Sequence, residues 1–502
     1  MSVRRTLIVV AAVAGLVASI IVGQRSNAVT LTRFSTVPFA SRPYASHRSP
    51  ITTTWYCGGV PGMPAASGSA AAGSGATSPT AGDGDVVMVN PTDVPLNARI
   101  TLFGSASVPV MQSTTVPALG KVTFDVGKAM TAQFVSAMVE IDGGEGMVEQ
   151  IAHDAAGDAV ASCTTQTSST WYFADGWTVD GSGEQLILTN PYSDTVSVDV
   201  TFQTNAGPRS PSAFQGYSIM PRSVSVISVD SGLVDEPIIA VSVVASRGRL
   251  LVARAEEMSG GGRTGYTLDL GAPSLSDQVF FADGQRGTGI TEQYVIYNPT
   301  DTDAMVDVTV LGPLAASPGL VDPSPLSVPS GDVVTFDAST IVGLPNGPHS
   351  IVFATLAAPS IVVDRVLTRP AGTRVATTVV LGMTAEYVVP RWYVPVGVDK
   401  ATPGALVVYN VDAAAGTVTV AAIGPGGAVP VPGLEAVKLA GSGSVSIDLT
   451  DPSVFGRPLV VESTQRIYVE RLLPQGGELT GRSGSWALPE CGPCNFSSPP
   501  SS

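Results

Sequence analysis

Trp171-Tyr172-Phe173-Ala174-Asp175-Gly176, then Asn190-Pro191, then Val196-Ser197-Val198-Asp199-Val200-Thr201-Phe202 is the stretch that decides the fold, because each of its parts recurs along the chain. The aromatic opening returns as Trp55-Tyr56, Phe280-Phe281 and Trp392-Tyr393, and a Gly closes the opening at Gly176, Gly284 and Gly397. The Asn returns at Asn90, Asn298 and Asn410, with Pro after it in the first three copies. Counted from positions 171, 279 and 392, the Asn falls 19, 19 and 18 residues later. In the first copy the gap is 35 residues, because a Gly/Ala/Ser/Pro stretch from Pro61 to Gly84 is inserted. That composition is typical of a flexible surface loop.

Positions 8, 10 and 12 after the Asn are Ala98/Ile100/Leu102, Val198/Val200/Phe202, Val306/Val308/Val310 and Val418/Val420/Ala422. A strict period of two over such residues predicts a strand with one buried face. Before the Asn, Gln185-Leu186-Ile187-Leu188 and Leu406-Val407-Val408-Tyr409 show no alternation, as expected of strands covered on both sides. Asn-Pro between them predicts a turn, since Pro fixes φ and the Asn side chain can bond its own backbone. A third strand recurs at Val122-Thr123-Phe124, Val224-Ser225-Val226, Val334-Thr335-Phe336 and Val445-Ser446-Ile447. Each copy ends in a hairpin-like pair such as Ile351 to Leu356 followed by Ser360 to Arg369. About seven short strands in about 110 residues predict an antiparallel Ig-like β-sandwich. A unit this long can bury its own core, whereas propeller blades and solenoid turns run roughly 20–50 residues. The expectation is therefore all-β: four sandwiches in tandem, not one closed ring.

The predicted boundaries are a membrane segment at 1–23, a linker at 24–52, repeats at 53–163 (with the loop 61–84), 164–274, 275–386 and 387–488, and a Cys-containing tail at 489–502. Arg4-Arg5 precede an unbroken apolar run from Leu7 to Gly23. That length lies between a cleaved signal peptide and a spanning helix. The positive flank keeps the amino end in the cytoplasm. The expected location is the cell membrane, single-pass, with the bulk of the chain extracytoplasmic, or secreted if the segment is cleaved. Four cysteines, Cys57, Cys163, Cys491 and Cys494, suit an oxidising compartment. Three pairings are open; one of them, Cys57 with Cys163, would clamp the two ends of the first repeat.

Charged residues are only 13 % of the 502-residue chain and the net charge is −15. Phosphate backbones and anionic lipid surfaces are bound by Lys and Arg, so nucleic acid is not an expected partner. Gly (54) and Pro (39) punctuate turns and break helices, in keeping with many short strands. No catalytic, cofactor or metal residues are assigned. His47, His153 and His349 show no metal-ligand spacing, and no Gly-x-Ser-x-Gly elbow occurs. Asp180-Gly181-Ser182-Gly183-Glu184 and Asp83-Gly84-Asp85 read as solvated acidic turns without the ligand alternation of a calcium loop. Cys491-Gly492-Pro493-Cys494 spells a redox motif, but only eight residues follow, too few for the helix such chemistry needs.

The opening Trp171 to Gly176, the Asn190-Pro191 turn and a late strand carrying Arg254, Arg365 or Arg471 together resemble a known family. It comprises tandem repeats of secreted and membrane-anchored envelope proteins of actinobacteria and related lineages, with a "WYFAEG" opening, an "NP" turn and a "VVVER" strand. The resemblance covers about residues 53–474. The first copy departs by carrying Gln150 in place of Arg; the fourth has Val411 in place of Pro. What the resemblance implies is an extracytoplasmic β-domain of unknown function, with no catalytic residues to carry over.

Residues recurring at one offset in several copies are most simply explained by the fold that the copies share. Trp55, Trp171, Phe280 and Trp392, the four Asn and the three Arg are therefore expected to be structural. The Arg are expected to meet carboxylates such as Asp175 or Asp283. Three functions follow for comparison: a non-catalytic envelope protein contacting wall polymer or another envelope protein, a glycan-binding protein using exposed aromatics, and a thiol–disulfide oxidoreductase. Solvent exposure of Trp171 and Trp392 separates the first two.

Overall fold

The computed structural model describes residues 43, 45–46, 52–63, 82–105, 107–154, 156–312, 319–357, 360–398, 404–474 and 482–491. They fall within one compact unit, Val37–Asn495. The described chain is all-β; its helical content is one four-residue helix, Val126–Ala129, and five short 3-10 turns. No described helix is long and apolar enough to cross a membrane, and the predicted segment 1–23 lies outside the described residues.

Two strand orders recur along the chain. In the third copy an outer sheet runs Leu326–Val328, Ala304–Leu311, Gly347–Thr355, Gln278–Arg286, and an inner sheet runs Val333–Asp337, Thr291–Tyr297, Val362–Ala371, Arg374–Leu381. The first copy has the same orders, with Ala132–Asp142 central in one sheet and Met147–His153 in the other; the second has Ile239–Arg247 and Leu251–Met258 in those places. In the fourth, the single strand Leu459–Pro474 fills both. Its first part pairs with Val389–Val394 and Gly416–Gly424, its second with Gly404–Asn410 and Arg482–Trp486. The fourth set thus becomes one continuous sheet.

The alternating strands face their own core as the period of two requires. Leu96, Ala98, Ile100 and Leu102 are buried while Asn97 and Arg99 are exposed. In the third copy Val306, Val308 and Val310 pack with Tyr294, Phe336 and Phe353. The unalternating strands are buried on both faces: Leu186, Ile187 and Leu188 all lie at 0 % exposure. This corrects the expected closing hairpin. Gly347–Thr355 pairs with Gln278–Arg286 and Ala304–Leu311, whereas Val362–Ala371 pairs with Thr291–Tyr297 and Arg374–Leu381. Each is apolar enough to be central, so they separate into different sheets. The inserted loop is also shorter than read, since strands run to Gly62 and from Asp83. Likewise Ala45–Ser46, assigned to the linker, pairs in parallel with Glu490–Cys491, assigned to the tail.

A face that is apolar and not used by its own core must be covered from outside. In the third inner sheet that face carries Val295, Tyr297, Val362, Val366, Val379 and Leu381, and it packs against Ala174, Ala240, Met258 and Ala272 of the second copy. The fourth copy's Ala421, Ile423 and Val460 pack on Leu119 of the first. The last strands of each set then meet in a circle. Ala159–Ser162 contacts Gly265–Leu270, which contacts Arg374–Leu381, which contacts Arg482–Trp486, which returns to Ala159–Ser162. Around this axis lies a cavity of about 100 Å³ lined by all four strands. The expectation of a string of sandwiches is corrected: the sets close head to tail into a ring, because each inner sheet needs its neighbour's back as a cover.

The Asn residues tie the crossover between sheets. Asn190 accepts from the Tyr192 amide (3.0 Å) and donates to the carbonyls of Asp194 (2.7 Å), Ile219 (3.2 Å) and Met220 (3.0 Å). Asn90, Asn298 and Asn410 repeat the i+2 and i+4 bonds. Only an amide offers an acceptor and two donors at this reach. Asn190→Ala leaves several buried main-chain groups unpaired, so chemical denaturation is expected to show a loss of roughly 2–4 kcal/mol. A loss below about 0.5 kcal/mol, the ordinary range of surface changes, would refute the role.

Candidate functional site: the junctions between strand sets

The recurring residues converge where one set meets the next. Trp55, Trp171 and Trp392 are buried, and each indole Nε1 donates to a main-chain carbonyl four residues before the Arg position: Gly146 (3.1 Å), Leu250 (3.1 Å) and Ile467 (3.0 Å). Val279 takes this place in the third set, inside the core. Phe280, the aromatic singled out there by the sequence, faces the junction and stacks on Tyr468 of the fourth set at 4.9 Å.

Arg254, Arg365 and Arg471 are all at 0 % exposure. Arg254 and Arg365 lie over Phe173 and Phe281 of their own openings, at 5.0 and 5.8 Å. Each has a carboxylate of the following set as a partner, and Arg254 also donates to Asp269 of its own set at 3.3 Å. Arg471 binds Glu149 with both guanidinium nitrogens (2.9 and 3.0 Å), across the closure of the ring. Arg365 binds Glu470 through Nη1 (3.1 Å) and Nη2. Arg254 lies 3.5 Å from Asp364. The expected contact with Asp283 is present but longer, at 3.7 Å from Arg365. The same carboxylates accept main-chain amides of the preceding opening: Ala174 and Asp175 to Asp364 (3.0 and 2.9 Å), Asp283 to Glu470 (3.0 Å), Val396 to Glu149 (2.9 Å). Each acid stands one residue before an Arg position, so one strand offers an Arg to the next set and an acid to the previous one.

The first junction lacks both charges. Gln150 replaces the Arg, and Ala253 stands where the second set's acid would be. The Gln150 carbonyl takes over the amide of Gly59 at 3.1 Å. A Cβ on Gly58 would lie 2.5 Å from Ala253 Cβ, so the backbones are too close for a carboxylate. The acid and its Arg are absent together, as expected if a buried charge is tolerated only with its partner. Glu470→Ala alone would strand Arg365 and is expected to cost roughly 3–5 kcal/mol. Adding Arg365→Gln, the first junction's combination, should recover more than half of that loss. A double variant no more stable than Glu470→Ala in guanidinium unfolding would contradict the pairing.

The second–third junction holds more carboxylates than cations. Asp175, Glu184, Glu256, Asp269 and Asp364 gather around Arg254 and Arg263. Asp175 is held by Arg263 (2.8 Å), itself over Trp177. Neither oxygen of Glu184 has a hydrogen-bond partner among the described residues. Gly176 is required here, since a Cβ would meet Glu184 Oε2 at 2.5 Å. Glu184 is thus not on the solvated turn predicted for it. Burial pushes its carboxyl well above the ordinary range, and Glu256 adds repulsion. Burial also pushes Glu256 and Asp269 to about 7, with Arg254 opposing. In the third set the equivalent Glu292 lies 3.0 Å from His349 and accepts from the Tyr294 hydroxyl. A carboxyl whose folded pKa is raised contributes stability that is complete below its unfolded pKa, near 4.5, and lost as pH rises through the folded value. Stability of Glu184→Gln relative to the parent should therefore increase as pH rises from the ordinary carboxylate range through neutrality. Thermal unfolding across that range tests it; a flat or falling difference would show that Glu184 is ionised when folded.

Cys57 and Cys163 form a disulfide. Cys491 ends the strand Leu488–Cys491, and Cys494 lies outside the described residues, as does His47. His153 sits between Asp158 and Asp85, whose hydrogen bonds push it up to about 10. Among the described residues, no group of three or more His, Cys, Asp or Glu side chains is arranged to hold a metal ion.

The sequence profile of a family of unknown function, DUF5719, matches residues 147–274 and again 254–453, together more than half of the chain. No curated protein matches. Among solved structures, a tetra-tandem repeat from the extending region of a large adhesion protein aligns over 83 % of this chain and 98 % of its own, at 14 % identity. The TM-score is 0.11, too low to carry an argument.

Proposed function

The chain belongs to the family of unknown function DUF5719, and we propose that it is a non-catalytic, extracytoplasmic protein of the cell envelope with a structural or interaction role. In this reading the four strand sets are tandem Ig-like sandwiches closed into one rigid body. Residues 1–23 hold it at the membrane as a single pass, or direct its secretion if cleaved, and its partners are wall polymer or other envelope proteins.

One observation carries the non-catalytic reading. The residues that recur from copy to copy are buried and engaged in holding turns, cores and junctions. A recurrent residue at 0–2 % exposure cannot touch a substrate without unfolding its neighbourhood. The same burial removes Trp55, Trp171 and Trp392 as platforms for sugar rings, so a glycan would have to be met elsewhere. The disulfide fits an oxidising compartment, and the net charge of −15 disfavours nucleic acid. A strand end at Cys491 is unlike the helix N-terminus that activates a redox thiol.

Protease added outside intact spheroplasts should digest the full-length chain's β portion, and the chain should be retained on purified wall or on immobilised envelope extract. Protection from protease would sink the extracytoplasmic placement. Retention on neither matrix would sink the interaction role.

A further inference from the structure

The head-to-tail packing leaves a cleft at the outer rim of two junctions, and the two clefts share one frame. Between the second and third sets it is about 620 Å³, bounded by Tyr172, the hairpin at Gly207-Pro208, and Pro299 after its Asn. Between the fourth and first sets it is about 500 Å³, bounded by Tyr393, the hairpin at Gly427-Ala428, and Pro91 after its Asn. The register is the same in both. The Tyr follows the opening Trp, and Gly207 and Gly427, both at positive φ, stand 17 residues after Asn190 and Asn410. These volumes are in the range of small-ligand sites, roughly 300–1,000 Å³.

The side chains decide what each cleft suits. The second–third cleft has no Lys or Arg in its lining. Its one carboxylate, Asp332, is engaged by Gln203 Nε2 (3.0 Å) and the Val333 amide (2.8 Å). Thr201, Asn205, Ser242 and Ser330 supply neutral donors and acceptors. Tyr172, half-buried, supplies aromatic surface, while Tyr297 is only 4 % exposed, with its hydroxyl fixed to Ser242 at 2.9 Å. Val244, 41 % exposed, adds an apolar patch. Neutral hydrogen-bonding groups beside aromatic and apolar surface complement a ring with one C–H face and an edge of hydroxyls. An anionic ligand would find no cation there. The fourth–first cleft carries Arg391, Asp93, Glu145 and Glu490 on the same frame and is not assigned a neutral ligand.

We propose that the cleft between the second and third strand sets, framed by Tyr172, Asn205 and Pro299, binds a neutral oligosaccharide. This deepens the envelope reading by naming a partner class. Saturation-transfer NMR on the full chain, with soluble glucan, galactan, arabinan and N-acetylglucosamine oligomers as probes, tests it. At least one oligomer should receive magnetisation. Thr201→Trp, which fills the cleft, and Asn205→Ala, on the exposed hairpin, should each weaken its binding at least fivefold with an unchanged melting temperature. Should Thr201→Trp unfold, Asn205→Ala decides. Transfer to none of the oligomers, or binding unchanged in Asn205→Ala, overturns the proposal. Retention of Thr201→Trp on envelope extract at the parent level would then leave the envelope role standing while the glycan site falls.

Discussion

Each inner sheet is apolar on both faces, and that constraint organises everything else. One face closes its own sandwich-like core; the other needs a cover that its own strands cannot supply. Val362, Val363 and Val366 illustrate it, with Val363 in the core of the third set and Val362 and Val366 against the second. A water-exposed face of that kind would lose roughly 25 cal/mol for each Å² left uncovered. The back of the preceding outer sheet supplies the cover. An open string would leave one inner sheet bare at its start and one outer back unused at its end. Packing the fourth set on the first removes both ends, a heterologous interface that closes within one chain.

Charge at the junctions follows from that burial. Apolar faces alone would allow neighbouring sets to slide. A guanidinium bonded to a carboxylate with two nitrogens fixes position as well as energy. Its cost is that neither group survives without the other. The first junction documents this inside one sequence, where Gln150 and Ala253 replace both charges and Gly58 brings the backbones together. Arg471 binds Glu149 with both guanidinium nitrogens, at 2.9 and 3.0 Å, where the ring closes on residues far apart in sequence. There the Arg471–Glu149 pair acts together with the backbone pairing of Ala45–Ser46 with Glu490–Cys491.

Much of this was legible in the sequence. The period-two strands at Val198/Val200/Phe202 and their copies, the unalternating strands before each Asn, and the structural role of the Asn-Pro turn could be read from patterning, because burial on one or two faces writes directly into spacing. The ring could not. Period reports whether a face is covered, not what covers it, and a unit of about 110 residues looks self-sufficient when its second apolar face is overlooked. The double coverage of Leu186-Ile187-Leu188 was itself the missed signal, since a two-layer sandwich covers each sheet only once. The acids were missed likewise: Glu149, Asp364 and Glu470 each precede the Arg position by one residue, a spacing that puts them on the opposite face. A residue pair on opposite faces of one strand, repeated around the chain, implies neighbours on both sides.

Repetition also explains why the junctions differ in chemistry while agreeing in shape. The frame at each position is set by backbone contacts, so individual side chains can change provided their immediate partners change too. Glu292 has His349 and Tyr294 beside it; its counterpart Glu184 has Leu186 in place of the Tyr, and burial raises its carboxyl well above the ordinary range. The rim clefts show the same freedom on the solvent side, one lined by neutral amides and hydroxyls and the other by charges. Packing repeats inside from set to set, while polarity varies outside.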